Sequence, residues 1–179
     1  MPVAEMPVGA VAVDARWYVL WTRSHCEPLV HQQLLARGFH VFNPQLSRWS
    51  RRAEQRHLIQ EPMFPGYIFL HHALDKESDV EVRKARGLVT ILGDSWERRA
   101  MVPDAEIDAI RRLVQSGETA VPHPYLKEGQ RVRITRGPMT DVEGILVRHH
   151  LRKGLLVLSV DMLRKSVAVE IDCTWVTAA

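Results

Sequence analysis

Glu61-Pro62-Met63-Phe64-Pro65-Gly66-Tyr67-Ile68-Phe69-Leu70 is the stretch whose reading decides the fold of this chain. Proline lacks a backbone N–H and stays out of central sheet ladders, so Pro62 and Pro65 mark where a strand begins. Gly66 supplies backbone freedom that other residues lack. Tyr67 and Phe69 then alternate with Ile68 and Leu70, which predicts a strand with its aromatic residues on one face. By itself the segment describes a core strand with a kinked start.

Outward from it, strand and helix signals alternate. Trp17 to Thr22 predicts a buried strand. Pro28 opens a helix that runs through Arg37 and is closed by Gly38, with Val30 and Leu34 on its inner face. Phe39 to Pro44 returns as a strand, and the basic segment Ser47–His57 reads as a hairpin tip. Asp79 to Ala85 predicts a short helix ended by Gly87, and Leu88 to Leu92 another strand with Gly93-Asp94 as its turn. Pro103, with Asp104 and Glu106 in the first turn, starts a third helix whose inner stripe is Ile107, Ile110, Leu113 and Val114. This alternation predicts an α/β sandwich.

The composition changes at Gln115. Residues 116–124 hold two prolines and a glycine without periodicity and read as a linker. Beyond it the pattern is all β: Val132 and Ile134, then Ile145 and Val147, then the apolar run Leu155–Val160, then Val167, Val169 and Ile171. Four short strands in this span predict a small barrel. The organisation is thus a tail at 1–15, an α/β domain at 16–115, a linker at 116–124 and a barrel at 125–179, an α+β chain as a whole. The tail lacks a basic start and is interrupted by Glu5, so it does not read as a signal peptide.

The chain has 179 residues, 46% of them hydrophobic and 25% charged, with a net charge of +3. That composition is globular, with no apolar run near the roughly 20 residues needed to cross a bilayer. Cys26 and Cys173 are too few for a disulfide scaffold and suit a reducing cytoplasm. Arg48, Arg51, Arg52, Arg56 and His57 crowd around Trp49, and Arg83, Lys84 and Arg86 precede Gly87. Each cluster fits either a solvated loop or a nucleic-acid contact.

No enzymatic constellation emerges. Ser24-His25-Cys26 are neighbours along an extended chain, whose side chains diverge, and no acid is placed to orient the histidine. His71-His72 and His149-His150 diverge in the same way. There is no Cys-x-x-Cys, no His-Glu-x-x-His and no phosphate-cradling glycine loop, so neither a metal nor a cofactor is expected. What remains is surface: Trp21, Tyr67, Phe69, Ile107 and Ile110 exceed what a small domain needs inside. They are either core or, if exposed together, a dock for a partner helix.

Taken together, Trp17-Tyr18-Val19, Phe64-Pro65-Gly66-Tyr67, Arg86-Gly87-Leu88-Val89 with Gly93, and Val102-Pro103 before a helix resemble the NusG family of transcription elongation factors. Gly129-Gln130-Arg131-Val132-Arg133-Ile134, Gly137-Pro138 and Gly144 look like its KOW repeat. The resemblance implies an NGN-like domain bound to RNA polymerase and an SH3-like KOW barrel that recruits other factors. It places the dock for the clamp helices of the largest polymerase subunit on Val19, Trp21, Phe64, Tyr67, Phe69, Ile107 and Ile110. Glu61-Pro62-Met63-Phe64-Pro65 is similar to a run in the specialised RfaH-type antiterminators. That likeness implies contact with non-template or upstream DNA through Arg23, Arg37, Lys84 and Arg86, with Arg51 and Arg52 as further candidates. Leu29 and Gln33 depart from that group's DNA-reading residues.

In the barrel, Met139, Val142 and Met162 fall where the family meets its partners, a small-subunit ribosomal protein among them. Met139 replaces a phenylalanine of the general factors, which implies weak engagement of the Rho terminator. An interdomain ion pair of the RfaH type would involve Glu61 with Arg152 or Lys153, Gly154 standing at the basic position. The leucine-rich segment Ile145–Arg164 is ambiguous between helix and strand, and its valines favour strand. The expectation is a monomeric, cytoplasmic antitermination factor without enzymatic activity. Its rivals are a general housekeeping factor of the same family and a ribosome-associated RNA-binding module.

Overall fold

The computed structural model describes the backbone of residues 14–52, 55–125, 129–148 and 153–179, and the side chains of these except 48–52, 55–57 and 148. The chain is α+β. Its first sheet is built on β1 (Arg16–Thr22), with β5 (Tyr67–His72) and β6 (Leu88–Ile91) on either side. β2 (His40–Phe42) adds to the outer edge of β5, and β7 (Met101–Val102) pairs with β1. Every pairing is antiparallel.

Both faces of this sheet are covered, which explains the unbroken apolar run Trp17-Tyr18-Val19-Leu20. Tyr18 and Leu20 face α1 (Glu27–Ala36) and α2 (Lys76–Arg83), packing with Val30, Leu34, Ile68, Leu70 and Val82. Trp17 and Val19 face the other way, into a cluster with Phe69, Ile107 and Ile110, the latter two from α3 (Asp104–Ser116). Pro28 lies in the first turn of α1, and α3 ends on Gly117 in the left-handed conformation, φ +68°. Val114 is 38% exposed although its helical phase falls between Ile107 and Ile110. Phase sets a direction but not where the covering surface stops.

β3 (Gln45–Arg52) and β4 (Gln55–Pro62) form a separate two-stranded hairpin in which Arg51 opposes Arg56 and Arg52 opposes Gln55. The basic stretch therefore is a hairpin, while the side chains of Arg51 and Arg52 lie outside the described set. Arg152, His149 and His150 also lie outside the described residues.

The C-terminal module is a six-stranded sheet in the order β13-β9-β10-β11-β12-β8. These strands are β8 (Ala120–His123), β9 (Gln130–Ile134), β10 (Glu143–Arg148), β11 (Lys153–Val160), β12 (Lys165–Asp172) and β13 (Val176–Ala178). The ambiguous segment Ile145–Arg164 is strand through β10 and β11, with a single 3₁₀ turn at Asp161–Leu163. Two strands exceed the four read from the sequence. One of them, β8, comes from the stretch read as linker and pairs with β12. Pro122 is tolerated there because β8 is an edge strand, and its pairing gives β12 a partner it would otherwise lack.

Candidate functional site: an apolar sheet face under the barrel

The dock residues share one face of the first sheet because the strand register puts them there. Val19 opposes Phe69 and Trp21 opposes Tyr67 across the β1–β5 ladder. Directly opposed residues lie on the same side of a sheet, so these four form one apolar strip. Phe64 closes its lower end, edge-on to Phe69 with centroids 5.8 Å apart. Ile107 and Ile110 come down on the strip from α3.

The strip is not an open depression in this structure. Val19, Phe64, Phe69, Ile107 and Ile110 are buried, and their cluster continues into the barrel through Met139, Val142, Leu158, Val160 and Val167. Trp21 is 44% exposed, and Tyr67 is half-buried. The Lys165 ammonium at the start of β12 lies 5.3 Å from the Tyr67 ring centroid, a cation–π contact. Met162 and Leu163 pack against the same cluster.

Polar contacts flank the seam. The Asp161 N–H donates to Glu106 Oε2 at 3.3 Å, and the Arg112 guanidinium donates to the Thr140 carbonyl. Burial lifts the Glu106 carboxyl above its ordinary range, and the nearby Asp161 charge adds to it. Between α3 and the barrel lies an open groove of about 620 Å³ lined by Glu106, Asp108, Arg112, Arg131, Glu143 and Asp161 among others.

The candidate DNA-contacting residues gather on the opposite side, over α1, α2 and the start of β6. The Arg23 N–H donates to the Gly87 carbonyl at 2.8 Å, which brings Arg23 beside Arg86. Gln33 clamps the Arg86 backbone, donating to its carbonyl at 3.1 Å and accepting from its N–H at 3.0 Å. Arg37 donates to the Glu81 carbonyl at 2.8 Å, and Lys84 pairs with the Glu81 carboxylate. Arg23, Arg37, Lys84 and Arg86 are all exposed.

Of the barrel candidates, Met139 and Val142 are buried and Met162 is half-buried. Glu61 is half-buried on β4, while Lys153 is exposed and pairs within the barrel with Glu170 at 2.7 Å. His71 and His72 do diverge: His71 lies against Trp17 and His40, and His72 against Phe39. Among the described residues no group of three or more His, Cys, Asp or Glu could hold a metal ion.

Sequence reading missed three positions that hold the site's geometry. Gln33 orients the basic loop. Glu27 reaches from α1 to the Gly66 N–H at 2.6 Å. Asp79 holds the buried Arg99 at 2.7 Å and Arg83 at 2.7 Å, while Arg99 also donates to the Ile91 carbonyl at 3.0 Å. Only the Asp79–Arg83 spacing of four carried a signal. The other contacts join residues 8 to 53 positions apart.

A helix-covered antiparallel domain with an apolar strip, joined to a small β module seated on that strip, defines a two-domain α+β protein. Residues 15–111 match the family described as transcription termination factor nusG. The chain is 30% identical to the transcription termination/antitermination protein NusG of Escherichia coli K12 over 129 residues, covering 72% of this chain and 71% of that one. Against the Yersinia pestis protein of the same name it is 29% identical over 171 residues, covering 90% and 94%. This chain belongs to the NusG family of transcription factors. A solved structure titled "Domain interaction in Thermotoga maritima NusG" superposes with a TM-score of 0.55 at 20% identity, covering 92% of this chain and 97% of that one, and so shares its fold.

Proposed function

We propose that this chain is an elongation and antitermination factor that grips the clamp helices of the largest RNA polymerase subunit. The carrying observation is that Val19, Trp21, Tyr67 and Phe69 share one sheet face with Ile107 and Ile110 packed on it. Burial of such a strip against an apolar helix drives association, with a few aromatic residues dominating. Because the barrel sits on the same cluster, polymerase and barrel compete for it, and the free chain is held shut by its own β-form barrel. Holding polymerase in one conformation then requires only differential affinity for that state, and no chemistry by this chain.

The exposed set Arg23, Arg37, Lys84 and Arg86, together with Arg51 and Arg52 of the hairpin, meets upstream or non-template DNA. Guanidinium groups suit both phosphate contact and base stacking. A barrel released from the strip offers Met139, Val142 and Met162 to a small-subunit ribosomal protein. Met139 and the run Glu61–Pro65 favour a specialised paralogue with weak Rho binding. The general housekeeping factor fits the same relatives, and a Rho titration separates the two: tight binding assigns the general factor.

The test of docking is capture by purified RNA polymerase of the wild type, Tyr67→Ala and residues 1–115 alone. Binding that Tyr67→Ala abolishes and residues 1–115 strengthen supports both docking and competition. Silence from the wild type and from residues 1–115 alike overturns the reading.

A further inference from the structure

This inference rests on the docking reading above and concerns how the dock is held in shape. Three costly features converge beneath the start of β5. Gly66 adopts φ +86°, a conformation open mainly to glycine. Its N–H donates to Glu27 Oε1 at 2.6 Å, and its carbonyl accepts from the Thr22 N–H at 2.8 Å. The turn is closed by the Tyr67 N–H donating to the Phe64 carbonyl at 2.9 Å. Glu27 is 3% exposed and Thr22 2% exposed. Among the described residues, Glu27 Oε2 and Thr22 Oγ1 have no hydrogen-bond partner.

A buried carboxylate with few hydrogen-bond partners is unfavourable, so its placement calls for an explanation. Part of the cost is offset because Glu27 lies in the first turn of α1, where the helix dipole favours negative charge. A charged acceptor also holds an N–H more firmly than a neutral one. What depends on the turn lies directly beside it. A Cβ at Gly66 would stand 3.9 Å from Trp21 Cδ1 and Nε1, so the turn backbone lies against the Trp21 indole. The next residue, Tyr67, is the cross-strand partner of Trp21. These two are the dock residues that still reach solvent.

We propose that Glu27 is the positioning residue of the polymerase dock: its carboxylate fixes the Phe64–Tyr67 turn and so sets Trp21 and Tyr67 in the orientation a partner helix meets. Glu27 itself stays beneath the surface and touches no partner. Glu27→Ala leaves the Gly66 N–H unpaired and the turn loose, whereas Glu27→Gln keeps an acceptor at the same reach.

The experiment is equilibrium binding of the full chain to purified RNA polymerase for wild type, Glu27→Ala, Glu27→Gln and Tyr67→Ala, each with its thermal midpoint. It is read alongside the NMR resonance of the Trp21 indole N–H, assigned by its loss in Trp21→Phe. Glu27→Ala is expected to weaken binding about tenfold and shift the indole resonance, with Glu27→Gln restoring both most of the way. Should Glu27→Ala not fold, Glu27→Asp, which keeps the charge and shortens the reach, is expected to weaken binding and shift the resonance in the same sense. Wild-type affinity in Glu27→Ala, or Glu27→Gln no better than Glu27→Ala when both are folded, overturns the proposal while leaving docking intact. No binding by the wild type, with residues 1–115 alone equally silent, overturns docking and this proposal together.

Discussion

At the scale of single residues, a few long-range polar contacts are costly to break. Asp79 holds buried Arg99 through both Nε and Nη2, at 2.8 and 2.7 Å. Removing one partner of a buried pair leaves the other charge stranded, typically at about 3–5 kcal/mol. Asp79→Ala is therefore expected to lower the unfolding free energy by about that much, measured by urea denaturation; a change under about 1 kcal/mol would mean that Arg99 finds solvent instead. His40 and His71 respond to pH. Both have their pKa held below the ordinary histidine value, by burial first and then by the Arg111 charge, while Asp104 pulls His71 partly back. The Arg111 guanidinium sits 3.4 Å from His40 Nε2 and 4.7 Å from the Trp17 ring centroid. The unfolded chain then binds more protons than the folded one, so stability rises with pH through this range. It is complete above about pH 6.5 and declines as the pH falls below it. Denaturation midpoints at pH 7.5 and 5.5 should show this loss, and His40→Gln with His71→Gln should flatten it. An unchanged slope in the double variant would place the acid sensitivity elsewhere.

At the scale of elements, most of the first domain was legible. Proline and glycine punctuation marked α1 and α3 to within a residue or two, and aromatic, apolar runs marked β1 and β5. The loop between β6 and β7 was read only as a turn at Gly93-Asp94, yet Gly93 makes its geometry specific. It adopts φ +122°, and a Cβ there would lie 2.4 Å from the Arg98 carbonyl oxygen and 2.6 Å from Arg99 Cα. The obstacle is backbone, which cannot swing aside. Gly93→Ala should cost about 3 kcal/mol or more, combining backbone strain with that clash. It should also disturb the neighbouring Asp79–Arg99 pair, visible as a lowered thermal midpoint, and a midpoint unchanged within error would show that the loop relaxes freely. β8 was missed because the short edge strand Ala120-Val121-Pro122-His123 has no periodicity of its own. Its pairing exists only because β12 presents an open edge.

At the scale of the whole molecule, the proposed docking has the barrel and the partner competing for one apolar strip. Competition of this kind is reciprocal: whatever draws the barrel away favours docking, and docking frees the barrel by the same factor. Lys165 over Tyr67 and Glu106 on Asp161 are small contributors to closure, each worth about 0.5–1 kcal/mol as exposed or half-exposed contacts. Lys165→Ala combined with Glu106→Ala should therefore raise polymerase affinity, by about 5- to 30-fold if the two add. Surface plasmon resonance on immobilised polymerase measures it, and an affinity equal to wild type would show that the barrel does not compete.

Local features were readable from residue order alone. The strands and helices of the first domain, the β character of the second and the identity of the apolar residues all follow from periodicity, punctuation and propensity, which act over a few neighbouring positions. Family membership was legible as well, because its motifs are short and stand in order. Whether the surplus apolar residues face solvent depends on how the two domains pack. Val19, Phe69, Ile107 and Ile110 look the same in sequence whether they form an open dock or a covered one. Their cluster is completed by Leu158, Val160 and Val167, about 45 residues or more beyond the end of α3's inner stripe. Glu27 likewise gains its meaning only when folding brings Gly66 to within 2.6 Å of it. Burial and long-range pairing are properties of which surfaces meet, and no local pattern encodes which surfaces meet.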